Sequence, residues 1–150
     1  MDKNAVISGC IKVEKSVASL YGKLMKIFPD KEDFWKDLFS DETEHLSFLS
    51  DVKSLGQTDE LKTIELPPSL PIINETLKMA GTTTEKISKG SVSLKNSLKM
   101  MLQLEESMVE TYTNKIIAHL MSCENEPSYK KILADEKKHV NKIKKMMKLQ

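Results

Sequence analysis

The sequence predicts an all-α protein: four amphipathic helices in a bundle, with one long crossover between the second and the third. Three observations carry that expectation. Apolar residues recur at spacings of three and four through four long stretches. Aromatic residues make up only 5% of the chain, while Met, Lys and Glu are plentiful, a balance that favours helix over strand. Pro67, Pro68 and Pro71 then divide the four stretches into two pairs. At 150 residues, with 39% hydrophobic and 30% charged side chains, residues 1–150 fit one domain.

The first helix is expected over residues 4–27, where Val6, Cys10, Val13, Val17, Leu20, Leu24 and Ile27 form one apolar stripe with Glu14 beside it. Pro29 ends it, and Asp30 is placed to cap the next helix. Residues 31–55 repeat the periodicity through Phe34, Trp35, Leu38, Phe39, Glu42, His45, Leu46, Leu49 and Val52, so two polar residues lie in the stripe itself. Gly56 closes this helix. The following link of about 30 residues is too long for a hairpin and suits a crossover. Within it, Ile72–Ala80 is expected to form a short helix before Gly81 and three threonines.

The third main helix is expected from near Ser91 to about Met121, with Leu98, Met101, Glu105, Met108, Val109, Tyr112 and Ile116 among its inward residues. Cys123–Pro127 reads as a turn, with Pro127 in the first turn of a fourth helix running from about Glu126 to Lys148. Its inward positions include Ile132, Leu133, Glu136, His139, Val140, Ile143 and Met147.

Several function classes are disfavoured. Cys10 and Cys123 form no C-x-x-C, so the chain has no thiolate set for a zinc finger, a redox dithiol or a rubredoxin-type iron. Two unpaired thiols in a reducing cytosol are the plainer reading, with a single disulfide left open. No run of 18 apolar residues is present, so no membrane association is expected and the location is expected to be cytoplasmic. Formal net charge is +1, with lysines gathered from Lys130 to Lys148. The chain has no Arg and no aromatics among those lysines, so they read as a solvated helix face and no nucleic-acid partner is expected.

The chemistry resides in a ligand set written twice. Glu14 and Tyr21 precede Glu42-Thr-Glu-His45, and Glu105 and Tyr112 precede Glu136-Lys-Lys-His139. The solitary Glu leads each E-x-x-H by 28 and 31 residues, respectively. Residues three apart on a helix differ by about 60° in direction, so each Glu–His pair can reach one metal region. Four buried carboxylates without a counter-charge would repel one another and protonate. Two divalent cations balance them, and two neutral imidazoles complete the set. Glu42 and Glu136 are expected to bridge the metals, Glu14 and Glu105 to be terminal, and each His to bind one metal, with Tyr21 and Tyr112 just outside the ligands. Carboxylates with one imidazole per metal fit two iron ions, manganese or a mixed pair. Ferrous iron is the first choice, and no catalytic side chain is expected beyond the metal centre.

These residues resemble the ferritin-like di-iron carboxylate superfamily, and most nearly its rubrerythrin branch, over roughly residues 4–148. That pattern places a Glu on each of helices one and three and an E-x-x-H on each of helices two and four; Glu14, Glu42, His45, Glu105, Glu136 and His139 match it one by one. The resemblance implies a ferritin-like four-helix bundle with a non-haem di-iron centre, assembled as a homodimer, that reduces hydrogen peroxide or reacts with dioxygen in oxidative-stress defence. The chain departs from the pattern twice. It lacks the C-terminal rubredoxin-like segment with its four cysteines, so a separate electron-donor protein is expected. The additional Glu that rubrerythrins carry three residues after the helix-three ligand is Met108 here, a poor ligand for ferric iron, which weakens the peroxidase expectation. A ferroxidase or iron-handling role, or a metal-stabilised bundle without catalysis, are the alternatives.

Overall fold

The computed structural model describes the backbone of residues 3–54, 67–122 and 126–150, and the side chains of 4–51, 53–54, 67–117 and 137–150. Among these residues the chain is all-helical: α1 (Lys3–Ile27), a 3-10 turn (Pro29–Lys31), α2 (Glu32–Ser54), α3 (Leu70–Ser88), α4 (Leu94–Glu105), α5 (Met108–Ser122) and α6 (Glu126–Lys148). The all-α expectation holds, and a long connection does separate α2 from α3. A simple four-helix bundle does not describe the result. One extra long helix is packed into it, and the expected third helix is broken in two.

α1 is the centre of the packing, lying against α2 on one side and α3 on the other. Its predicted stripe is buried from Val6 to Leu24, and Ile7, Ile11, Ala18 and Tyr21 are buried as well, because a helix covered on two sides needs more than one apolar face. Only Ile27, at the end of the helix, is exposed. Gly9 lets α3 approach closely: a Cβ there would lie 2.7 Å from Ile73 Cγ2. Pro29 ends α1 as expected, but Asp30 is an exposed residue inside the 3-10 turn rather than the cap of α2.

α3 is longer than Ile72–Ala80 and runs through Gly81 and the threonines to Ser88. Ser69 caps it, its Oγ accepting the Ile72 amide, and Pro71 occupies the first turn, where its missing N–H costs nothing. Three threonine hydroxyls turn back onto the carbonyls four residues earlier: Thr76 onto Ile72, Thr83 onto Met79 and Thr84 onto Ala80. Their hydrogen bonds are satisfied within the helix, so Thr76 and Thr83 can be buried together with Ile73, Ala80 and Ile87.

The break between α4 and α5 falls one residue after Glu105. The Glu106 amide is shared between the Leu102 and Leu104 carbonyls, and Ser107 closes a tight turn onto Leu104. Ser107 Oγ then accepts the Glu110 amide at 3.3 Å, a new helix cap. Met108, expected inside, is 62% exposed in consequence, and Val109 and Glu110 turn inward. α6 matches its predicted bounds and packs on both α4 and α5. It is tied to α2 by Lys142, whose Nζ donates to Asp37 at 3.0 Å and lies 5.3 Å from the Phe34 ring centroid. No helix among the described residues is long and apolar enough to cross a membrane.

Candidate metal centre

The interior between α1, α2, α4, α5 and α6 holds four fully buried glutamates: Glu14, Glu42, Glu105 and Glu110. Glu14 arrives on the inner face of α1, Glu42 on α2, Glu105 on the last turn of α4 and Glu110 on the first turn of α5. Two triads of ligand atoms form among them. Glu14, Glu42 and His45 make one; Glu42, Glu105 and His139 make the other; and in each the atoms lie within 4.8 Å of one another. Glu42 belongs to both. The His45 and His139 rings face each other across the cluster with centroids 6.3 Å apart.

Five of the six predicted ligands are therefore brought together, and the sixth, Glu136, lies on α6 with its side chain outside the described residues. So do the side chains of His119 and Cys123. Tyr21 donates to Glu105 Oε1 at 2.5 Å, reaching across from α1 to the glutamate of the opposite pair. Among the described residues Tyr112 makes no hydrogen bond to a candidate ligand. It is buried near Cys10, and burial pushes its hydroxyl up to about 12. Cys10 is a free, buried thiol, raised to about 11 mainly by its burial.

Electrostatics show what this interior requires. Burial comes first in raising Glu42 to about 8, and Glu110 beside it adds to the rise. Glu105 is raised to about 8 by burial and then by Glu42. Glu14 is pushed well above the usual carboxylate range by burial, then by Glu110 and Glu42. Both Glu14 oxygens and Glu42 Oε2 are buried with no N–H or O–H donor to them among the described residues. A carboxylate oxygen without a donor in a dry interior is strongly disfavoured unless it meets a cation or takes up a proton. The donor set therefore fits a pair of hard or borderline divalent metals.

Two members of the site escaped the sequence reading. Asp41, half exposed on α2, accepts from His139 Nε2 at 2.6 Å. A carboxylate can only accept, so Nε2 carries a proton; in the neutral ring the lone pair is then on Nδ1, which lies 3.9 Å from Glu42 Oε1. The sequence held a signal for this, since Asp precedes the Glu of both E-x-x-H motifs, at Asp41 and at Asp135. Glu110 is the other. In an unbroken helix it would point about 140° away from Glu105, and the break at Glu106–Ser107 turns it in. The spacing Ser107-Met-Val-Glu110 is that of a capping box, the available sign that a new helix begins there.

No protein-family model matches the chain, and no curated protein or solved structure compared with it matches either. The class of protein is thus defined by fold and site alone: an all-helical domain with two Glu/Glu/His clusters able to bind a carboxylate-bridged pair of metals.

Proposed function

We propose that this chain is a di-iron carboxylate oxidoreductase of the ferritin-like kind, reducing hydrogen peroxide or reacting with dioxygen. The observation that supports it best is Glu42, which alone belongs to both triads and so stands where a bridging carboxylate would. Glu14, Glu42 and His45 would hold one iron, and Glu42, Glu105 and His139 the other, with Glu136 as the second bridge. Glu110, close to Glu14 and Glu42, supplies a carboxylate that Met108 at the family position cannot. Bound iron would supply the electrons for reducing the oxidant.

The protein's own residues do the rest. Asp41 fixes the His139 tautomer so that Nδ1 faces the site. Tyr21 holds Glu105 through its hydroxyl and keeps one carboxylate oxygen from rotating away. Glu14, Glu42 and Glu105 are themselves fully buried, which would keep bulk water from the metals.

The test is anaerobic loading with Fe(II), counting iron per chain, followed by separate additions of hydrogen peroxide and dioxygen while ferrous iron is titrated. Two irons per chain, both consumed on oxidation, support the reading, and the faster oxidant selects between peroxidase-like and oxidase-like chemistry. Continued uptake of iron beyond two per chain would favour iron handling instead. Zero or one iron would discard the di-iron centre.

A further inference from the structure

α4 and α6 frame a surface groove of about 610 Å³. Leu102 and Met147 supply its apolar lining, and Lys95, Lys144, Lys145 and Lys148 surround them. Among the described residues no carboxylate lines it. The charge pattern is wider than the groove: residues 94–104 and 137–150 contain eight lysines and no Asp or Glu. The remainder of this nearly neutral chain then carries fifteen lysines against twenty-two acidic residues, a formal charge of −7. Four of those eight lysines, Lys95, Lys144, Lys145 and Lys148, line the α4–α6 groove, while Lys142 turns away to Asp37 on α2.

The groove's position gives this charge a use. Leu102 precedes the candidate ligand Glu105 by three residues and the lining residue Asn141 follows His139 by two, so along both helices the groove lining begins within one turn of the site. We propose that the α4–α6 groove is the docking surface for a small acidic electron-carrier protein that reduces the metal centre, an inference that rests on the redox reading above. An apolar patch ringed by like charges is the usual anatomy of a transient, electrostatically steered interface. The lysines draw the acidic face of the carrier in, and Leu102 and Met147 bury an apolar contact once it is seated. The chain has no Arg, and no aromatic lines the groove among the described residues, which favours a protein partner over nucleic-acid bases. Each docked one-electron carrier is oxidised by one electron. Two encounters, with two protons from solvent, match the reduction of one hydrogen peroxide to two waters.

The test uses an acidic [2Fe–2S] ferredoxin as the probe and the full chain, with binding followed by calorimetry at low and physiological salt and contacts mapped by zero-length carbodiimide cross-linking. The expected result is binding that weakens about tenfold on raising the salt and about tenfold again in the Lys144→Glu/Lys145→Glu variant, with cross-links at the groove lysines. Lys12→Glu/Lys15→Glu, on the exposed face of α1, should leave binding unchanged, and circular dichroism checks that both variants fold. Absence of binding, or binding indifferent to the Lys144/Lys145 reversal, would overturn the proposal. So would tight binding of oleate or an oligothymidylate in the groove without binding of the ferredoxin, which would assign the lysines to an anionic amphiphile or a nucleic acid. Iron is counted on the same samples. Two irons per chain without carrier binding defeats the docking surface alone, whereas carrier binding to a chain that takes up no iron defeats the electron-donor role together with the redox reading.

Discussion

Glu42 stands between two ligand triads, so its removal and that of a histidine should have different consequences. In Glu42→Ala, iron per chain should fall from two toward zero, because both ions lose a ligand. His45→Ala should retain about one, by metal analysis after desalting. Normal occupancy in the Glu42 variant would remove the bridging assignment. The same carboxylates predict how the metal-free protein responds to pH. Glu42 and Glu105 titrate near 8 when folded against an ordinary 4.5, so the folded state binds protons that the unfolded chain has already released. Their stabilising contribution is complete below about 4.5 and is lost as the pH rises through about 8. The urea midpoint of metal-free protein should therefore be higher near pH 5 than near pH 8, and metal should abolish or reverse that trend by replacing the protons. Five of the candidate ligands were legible because Glu or His in or beside an apolar stripe is costly without a purpose. Asp41 was not, because its relation to His139 joins residues 98 positions apart.

At the scale of the helix, the break between α4 and α5 and the close approach of α1 to α3 are the features to perturb. Ser107→Ala removes the side-chain cap of α5 and should cost about 1 kcal/mol in urea unfolding. It should also weaken metal binding, since the cap positions the turn that brings Glu110 inward. Gly9→Ala sets two effects against each other. Alanine favours helix by about 1 kcal/mol, but the added methyl would meet Ile73 Cγ2 at 2.7 Å, on a β-branched side chain that has little rotamer freedom. Overpacking of this kind costs about 1–3 kcal/mol, so the variant should be less stable, or at best neutral. A gain in stability would mean that α3 moves aside easily. The sequence placed α1 and α6 well because their periodicity is long and their ends are marked by prolines. It shortened α3 because Gly81 and three successive threonines read as a breaker, whereas burial against α1 and hydroxyl bonds to the preceding turn hold them in helix.

For the whole molecule, the Glu14 and Glu42 oxygens that are buried without a donor among the described residues predict that folding and metal binding are coupled. Fe(II) or Mn(II) at 100 times its dissociation constant should add about 2.7 kcal/mol of stability per site, seen as a rise in thermal midpoint that a chelator reverses. An unchanged midpoint on chelation would show that the helices hold together without the metals. The sequence by itself determined the helical class, the two-fold spacing of Glu and E-x-x-H, and the burial of Glu14, Glu42, Glu105 and His139. Those properties follow from residue type and helical period, which are local. Only the tertiary structure decided that α3 lies along α1, that a break at Glu106–Ser107 brings Glu110 into the cluster while Met108 turns out, and that Tyr21 on α1 holds Glu105 on α4. Each of these depends on which distant surface covers a helix and on where its backbone bonds are diverted, and no periodicity within one segment contains that information.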